Sequence, residues 1–117
     1  MFRKQSDMEI QIRERMREGK GEVKIHHIFK KEELKGKARL CAKISLDPGC
    51  SIGVHRHDNE EEVFYFISGK GLAIEDVKEY IVEPGDALLT GGGQSHSIEN
   101  TSTEEPLEFM AVILLYN

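Results

Sequence analysis

The sequence lacks several features that would place it in common functional classes. It has no run of about 18 apolar residues, so no membrane span is predicted. Its first residues lead into a polar stretch, so no secretory signal is expected. Lys and Arg number 16 against 21 Asp and Glu, a net charge of −5, whereas nucleic-acid-binding domains carry basic surfaces that pair with phosphates. We therefore expect neither a membrane nor a nucleic acid as a partner.

Basic residues are grouped in only two short clusters. Arg13, Arg15 and Arg17 form the first cluster, and Lys30 and Lys31 form the second. Glutamates lie beside both clusters, a mixture of signs that is typical of a charged face in contact with solvent. We interpret both clusters as solvated surface.

Cysteine is also scarce. The two cysteines, Cys41 and Cys50, are spaced neither as metal ligands nor as a redox pair. Cys41 lies in a strand-like run and Cys50 lies in a turn. Because unpaired thiols are usual in a reducing compartment, we predict a cytoplasmic protein without disulfides.

Alternation of apolar and polar residues is the dominant pattern. The 117 residues suffice for one domain. About ten short alternating runs are separated by Gly, Pro, Asp and Asn roughly every ten residues, which predicts an all-β sandwich or barrel. Helical signals are confined to residues 14–19 and 30–35. We assign residues 1–20 to an N-terminal arm or swapped edge strand and residues 21–117 to a single barrel domain.

Three histidines and one glutamate carry the chemical signal. His55 and His57 are two residues apart in a predicted strand, so their side chains project from one face. Glu62 opens the next run and is expected to return beside them in an antiparallel hairpin, while His96 follows a glycine-rich turn. Three imidazoles and a carboxylate suit Fe, Mn, Ni, Cu or Zn rather than Ca or Mg. On a six-coordinate ion, these four ligands leave two positions open.

At these residues the chain resembles the cupin superfamily. The first cupin motif, Gly-x5-His-x-His-x3–4-Glu-x6-Gly, is met by Gly49, His55, His57, Glu62 and Gly69. The second motif, Gly-x5-Pro-x-Gly-x2-His-x3-Asn, is met by Gly85, Gly93, His96 and Asn100, with Gly91 in place of the proline. Glu61 would fit the shorter spacing after the histidines but not the count to the final glycine, so Glu62 is assigned as the ligand. Gly91 is expected to loosen the turn before His96.

The resemblance implies a fold, a cofactor and an assembly. Cupins form a double-stranded β-helix, a small jelly-roll barrel with the metal inside. One divalent transition-metal ion per chain is implied, with Mn or Fe favoured and Ni or Zn as alternatives. Single-domain cupins commonly form homodimers by exchanging N-terminal strands. The run Met8–Ile12 is the candidate for that exchange, and residues 107–116 are a further apolar face.

The resemblance narrows the function less than the fold. The chain looks like small bacterial cupins labelled oxalate-decarboxylase-like, which implies a metal-binding cupin that binds or acts on a small carboxylate or other oxygen-rich metabolite. A decarboxylase, a dioxygenase and an isomerase stay open, as does a non-catalytic module that senses a small molecule or a metal. A purely structural barrel is the third reading. No catalytic acid or base is assigned, because residues 58–61 are expected to form a turn in solvent.

Strand alternation suggests a few residues for the wall of a binding pocket. Phe64 and Phe66 share the parity of Glu62 and are expected to face the same interior. Gln94 lies two residues before His96 and is a candidate contact for a substrate oxygen. These three residues are the predicted substrate contacts.

Four other residues receive a different interpretation. Arg39 and Tyr65 would contact an anion only if the predicted strand parity were shifted by one residue. His26 and His27 lie outside both motifs, and we interpret them as surface or core histidines.

Overall fold

The computed structural model describes all 117 residues as ten antiparallel strands joined by short loops. The predicted all-β class and the expected number of strands are confirmed. The strands are β1 (Glu9–Glu14), β2 (Glu22–His27), β3 (Ala38–Leu46), β4 (Ser51–Arg56), β5 (Glu60–Ser68), β6 (Gly71–Glu75), β7 (Lys78–Val82), β8 (Ala87–Gly91), β9 (Ser95–Glu99) and β10 (Leu107–Leu115).

Helix is limited to three single turns of 3-10 type. They span Gln5–Asp7, Met16–Glu18 and Lys31–Glu33, and the last two fall in the stretches where helical signals were seen. None of the three has the length or apolar character to cross a membrane.

The strands form two sheets that enclose one core. Six strands make the larger sheet in the order β1-β2-β3-β10-β5-β8, and four make the smaller sheet in the order β4-β9-β6-β7. The core draws buried residues from both sheets, as expected for a jelly roll. Phe64, Phe66 and Phe109 fill its centre, with ring centroids 4.7 to 6.1 Å apart.

The connection between β4 and β5 differs from the predicted hairpin. The two strands lie in different sheets, so Glu62 does not return beside the histidines by strand pairing. Asn59, in the left-handed region at φ 57°, makes the turn, and β5 already begins at Glu60. Because asparagine tolerates this conformation, the chain can cross between sheets in a few residues. Glu62 therefore faces the histidines across the interior.

Strand β1 lies at one edge of the larger sheet and pairs with β2 of the same chain. Its apolar residues Ile10 and Ile12 point outward and are 56% and 55% exposed. Its polar residues Gln11 and Arg13 lie on the opposite face of the strand. The exchange of residues 1–20 between two copies stays a prediction.

Candidate metal centre

Four side chains converge at one point inside the barrel. The Nε2 atom of His96 lies 3.0 Å from the Nε2 atoms of His55 and His57. Oε1 of Glu62 lies 3.0 Å from the Nε2 atoms of His57 and His96, and 4.0 Å from that of His55. The four side chains are only 0 to 8% exposed. The residues predicted as metal ligands are thus brought together and shielded from water.

Both sheets contribute to this cluster. His55 on β4 and His96 on β9 are register partners in the smaller sheet, so their side chains share a face. His57 follows β4, and its backbone N–H donates to the carbonyl of Gln94 just before β9, at 3.0 Å. Glu62 arrives on β5 of the larger sheet. The cluster therefore exists only when the two sheets are packed together.

Hydrogen bonds on the far side of two imidazole rings fix which nitrogen carries the proton. Nδ1 of His55 lies 2.8 Å from the carbonyl oxygen of Gly53, which can only accept. Nδ1 of His57 lies 2.5 Å from Oε2 of Glu60. Each Nδ1 therefore carries the hydrogen, which leaves the Nε2 lone pair free for a metal ion.

His96 is oriented by packing instead. Its buried Nδ1 has no hydrogen-bond partner. Its ring stacks on Phe64, with centroids 4.7 Å apart and planes 16° from parallel. The aromatic face thus sets the ring plane that directs Nε2 toward the cluster.

Five of the six donor–donor distances in the cluster are close to those of six-coordinate geometry. Metal–ligand bonds of about 2.1 Å place neighbouring donors about 3.0 Å apart and opposite donors about 4.2 Å apart in an octahedron, against about 3.4 Å for every pair in a tetrahedron. Four of the pairs measure 3.0 Å, and the pair of His55 and Glu62 measures 4.0 Å. One ring N–H on His96 could not satisfy three neighbours at 3.0 Å, whereas a cation at the centre would.

Glu60 lies behind His57, which corrects the expectation that its turn faces solvent. Because β5 begins at Glu60, its side chain points inward, and the residue is 9% exposed. Arg39 binds it through two hydrogen bonds of 2.8 Å, from Nε to Oε1 and from Nη2 to Oε2. Charge-assisted pairs of this bidentate kind are geometrically specific. A chain of contacts therefore runs from Arg39 through Glu60 to a predicted metal ligand.

Burial and the contacts within the cluster act in opposite directions on the pKa values of Glu62, His57 and His96. Burial acts to raise the pKa of Glu62, but its contacts with the three histidines outweigh burial and hold the pKa well below its usual range. At His57 burial acts to lower the pKa, and the contacts with Glu62 and Glu60 reverse this and raise it. Burial prevails at His96, whose pKa is lowered. Glu62 is therefore ionised at neutral pH, as metal binding requires.

A cavity of about 240 Å³ adjoins the cluster. Its wall combines apolar core residues with basic and polar residues, several of them from the N-terminal segment. The lining residues are Gln11, Arg13, Met16, Arg17, Ile25, His27, Arg39, Leu40, Ile44, Ile52, His55, His57, Glu62, Phe64 and Ile113.

Of the three predicted substrate contacts, only Phe64 lines this cavity. Phe66 is fully buried in the core and lies outside the lining set. Gln94 also lies outside it, and its side-chain oxygen is 3.4 Å from the backbone nitrogen of Gly91, within its own turn. Phe64 is therefore the one member of the set placed to contact a ligand.

Several lining residues were interpreted differently from the sequence. Arg39 lines the cavity, whereas Tyr65 is 49% exposed on the outer face. Arg13 and Arg17 are exposed, in agreement with their interpretation as solvated surface, and they also border the cavity. The signal that could have revealed Arg13 is the alternation of β1, whose polar side is as regular as its apolar side.

The sequence predicted only a surface or core position for His27, and the structure gives a more specific one. His27 lines the cavity, and its Nε2 lies 2.9 Å from the side-chain oxygen of Gln11. Gln11 lies on β1 and is a cavity residue as well. The N-terminal strand therefore supplies both a wall of the cavity and the partner of this histidine.

The departure from the cupin pattern at Gly91 has a packing reason. A Cβ atom at this position would lie 2.5 to 2.7 Å from the Cβ and Cα of Glu61 and the carbonyl oxygen of Glu60. Such contacts are too close for any side chain, proline included. Glycine here allows β8 to approach the backbone of β5 at Glu60 and Glu61.

Comparison with known proteins identifies relatives for most of the chain. Residues 42–113 match the family described as Cupin domain. An oxalate-binding protein of Thermotoga maritima is 46% identical over 100 residues, which cover 86% of this chain and 82% of that protein.

Solved structures agree with this comparison. A crystal structure described as a predicted oxalate decarboxylase from Thermotoga maritima superposes with a TM-score of 0.92 at 42% identity, covering 98% of this chain and 99% of that one. The polyketide cyclase RemF from Streptomyces resistomycificus superposes with a TM-score of 0.76 at 19% identity, covering 100% and 80%. The second likeness concerns the fold alone.

Proposed function

The chain belongs to the cupin family, and on this premise we propose that it holds one divalent transition-metal ion and binds a small carboxylate there. His55, His57, Glu62 and His96 would hold the ion. A bound ion supplies a Lewis acid for a carboxylate oxygen. The observation that carries the proposal is the donor spacing, with four pairs at 3.0 Å and one at 4.0 Å.

The same spacing supports Mn or Fe ahead of Zn. Structural zinc sites are usually tetrahedral, and tetrahedral donors would be evenly spaced. Two unequal spacings and mixed nitrogen and oxygen donors instead suit a six-coordinate ion. Ni stays an alternative because it shares this preference.

The carboxylate class is supported by a relative and by the cavity. The Thermotoga maritima protein that is 46% identical carries the name oxalate-binding protein. In this chain the cavity has three arginines in its wall and one carboxylate, that of Glu62. A wall of this kind attracts an anion. Phe64 adds an apolar surface that excludes water from the ion.

Binding without turnover is the form of the proposal that the wall supports best. Decarboxylation needs a proton donor close to the reacting carbon. Glu62 is committed to the metal, and Glu60 lies behind His57 in its pair with Arg39. No carboxylic acid of the wall is therefore free to donate a proton.

A metal-dependent decarboxylase is the second candidate, and His27 favours it. Its ring lines the cavity and is held by Gln11 at 2.9 Å. An imidazole can carry and release a proton, so His27 can serve as a proton donor in this position. Replacement of His27 by Gln would abolish turnover but leave carboxylate binding in place.

Metal analysis of untagged protein tests the primary proposal. We expect about one equivalent of Mn, Fe or Ni per chain in the wild-type protein and a loss of metal in H55A and H96A. His26→Ala is the matched control, because this histidine points away from the cluster and its loss should leave the metal content unchanged. Calorimetry with oxalate, with and without added Mn, then measures carboxylate binding, and assays for formate and carbon dioxide detect turnover.

Two outcomes would contradict the proposal. Folded wild-type protein that stays metal-free after Mn, Fe, Ni and Zn are offered would reject the metal site. Metal-loaded protein that binds neither oxalate nor any other small carboxylate would reject the ligand class while leaving the metal site standing.

We also propose that the protein is a homodimer that joins through β1. This strand has a free edge and exposes Ile10 and Ile12, a combination that favours pairing with a second copy. Sedimentation should give a dimer for the wild type and a monomer for the double variant I10K/I12K. A wild-type monomer would contradict the proposal.

The cytoplasmic location stays a prediction, consistent with the free thiols of Cys41 and Cys50.

A further inference from the structure

Two arginines of the N-terminal segment border the cavity without a carboxylate partner. Arg13 and Arg17 both line it, and neither takes part in an ion pair. Arg39, the third arginine of the wall, is different because Glu60 neutralises it. We propose that Arg13 and Arg17 form an anion subsite that binds the outer carboxylate oxygens of a dicarboxylate. This proposal rests on the function proposed above.

The fold places Arg13 on the inner face of its strand. In the pairing of β1 with β2, Arg13 is opposite Val23, and Gln11 is opposite Ile25. Directly paired residues share a face of the sheet, and both partners on β2 are buried in the core. The side of β1 that carries Arg13 therefore lies toward the cavity, although the Arg13 side chain itself is still exposed to solvent.

Arg17 is carried by a turn whose backbone is unusual and firmly held. Arg15, Arg17 and Glu18 lie in the left-handed region, at φ of 50°, 55° and 63°. Non-glycine residues adopt this conformation at an energetic cost, and such strain is concentrated at functional sites. Met16, between them, packs against the hydrophobic core and anchors the turn.

The turn that carries Arg17 also packs against the smaller sheet. A Cβ atom at Gly53 would collide with the carbonyl oxygen of Arg17, so glycine lets the turn lie directly on β4. The backbone of Lys20 is also bonded to Ser51, by its N–H to the hydroxyl at 2.9 Å and by its carbonyl to the backbone N–H at 2.8 Å. A strained turn that is held this closely presents Arg17 at a defined place on the wall.

The positive charges around the cavity favour a ligand that carries two negative charges. A divalent ion beside Glu62 would retain one positive charge, and the pair of Arg39 and Glu60 is neutral. Arg13 and Arg17 add two further positive charges to a cavity in a chain whose net charge is −5. Oxygens of a dicarboxylate that are not bound to the ion would meet these guanidinium groups, which match carboxylates in geometry. A monocarboxylate has no second charge to place there.

Calorimetry with matched probes tests the subsite. Oxalate and malonate are dianions that can chelate an ion, whereas glycolate chelates in the same way with one negative charge fewer. In Mn-loaded protein, we expect R13Q and R17Q each to weaken oxalate and malonate binding about tenfold. Glycolate affinity should change by less than about threefold, because chelated glycolate has one outer carboxylate oxygen and one negative charge fewer than oxalate. The Kd for Mn should stay unchanged.

Arg15→Gln is the matched control for both variants. It removes the same charge from the same segment, but Arg15 does not line the cavity. R13Q keeps the test valid even if R17Q loosens the strained turn, because Arg13 lies on a regular strand. R15Q should therefore bind oxalate like the wild type.

The outcomes separate this proposal from the one on which it rests. If wild-type protein binds oxalate only with metal, and R13Q and R17Q lose no more affinity than R15Q, the subsite is rejected and the metal-dependent function stands. Equal losses for glycolate and oxalate would also reject it, because the arginines would then act on any anion. Failure of Mn-loaded wild-type protein to bind any of the probes would overturn both proposals.

Discussion

Replacement of Glu60 by Gln tests how far the metal centre depends on residues behind its ligands. The Glu60 carboxylate receives three hydrogen bonds: one from Nδ1 of His57 at 2.5 Å and two from Arg39 at 2.8 Å. All three partners are donors, and a carboxylate accepts from all of them. Gln has nearly the same shape, so the variant changes the hydrogen bonding and charge with little change in packing.

An amide cannot satisfy the same three donors. If the NH2 group of Gln replaces Oε2, it faces the His57 ring and can donate only if Nδ1 becomes the acceptor. The ring proton then moves to Nε2, the atom that must be free to bind a metal ion. If the NH2 group replaces Oε1 instead, it opposes an N–H of Arg39, and His57 loses its charge-assisted partner. Either orientation weakens the site.

Loss of such an outer carboxylate typically lowers metal affinity by about 10-fold to 100-fold. That range corresponds to about 1.4 to 2.7 kcal/mol of binding free energy. We expect E60Q to bind Mn with a Kd raised by this factor while its secondary structure, followed by circular dichroism, stays unchanged. Competition against a chelator of known affinity measures both Kd values on one scale.

Glu61→Gln is the control for charge alone. It removes the same negative charge one residue away, but its side chain alternates to the other face of β5 and contacts Tyr116. E61Q should bind Mn within about twofold of the wild type, because the half-buried Glu61 side chain lies on the face of β5 away from the cluster. A folded E60Q variant whose Kd matches that of E61Q would refute the argument that Glu60 sets the tautomer of His57.

Three further perturbations test the fold around the site. The buried Asn100 side chain makes three hydrogen bonds to backbone groups. N100A should therefore destabilise the protein by about 3 kcal/mol. Calorimetry should show this loss as a Tm lowered by roughly 10 °C or more. G91A should cost about 2 kcal/mol or more because its Cβ would lie 2.5 to 2.7 Å from β5, whereas G36A, with nothing within 4 Å, should be nearly neutral in urea unfolding. A hydrogen bond from Arg3 lowers the pKa of Glu33 from the ordinary 4.5 to about 2 in the folded protein. The ion pair therefore stabilises the protein fully above about pH 4.5, and this contribution is lost as the pH falls toward 2. In R3Q the pKa of the Glu33 carboxyl, followed by NMR, should rise from about 2 toward its ordinary value.

Each of these three predictions can fail on its own. A variant N100A that unfolds at the wild-type temperature would show that its hydrogen bonds are replaced by water. Equal stability of G91A and G36A would show that β8 can shift away from β5. An unchanged titration of Glu33 in R3Q would mean that the backbone N–H of Lys30, which donates to Oε1 at 2.7 Å, holds the pKa down by itself.

The ligand set could be predicted from the sequence because spacing constrains it twice. His55 lies near the end of β4 and His57 directly follows the strand, so the alternation of extended backbone places their side chains on one face. Glu62 and His96 lie at distances along the chain that the cupin motifs define. Alternation also located the strands, since each short run buries one side and exposes the other. The confirmed all-β class depends on local patterns of this kind.

What the sequence could not provide is the pairing of distant segments. Alternation in β4 and β5 looks the same whether the strands form a hairpin or lie in facing sheets. The hairpin interpretation placed Glu60 in a solvent turn, whereas the crossing at Asn59 starts β5 earlier and turns this side chain inward. Its partner Arg39 lies 21 residues away on β3, and no local pattern links the two.

The orientation of β1 explains why the sequence pattern did not identify Arg13 as a residue of the cavity wall. An amphipathic strand fixes two faces but not which of them points inward, and the usual assumption sends apolar residues to the core. Here Ile10 and Ile12 are exposed, and Arg13 faces a cavity whose chemistry is polar. All six residues of β1 are exposed, so Arg13 can border the cavity while its guanidinium group stays in contact with water. The inverted orientation of β1 thus connects both proposals: its inner face would bind the outer end of a dicarboxylate, and its exposed apolar face would be covered by a second copy of the chain.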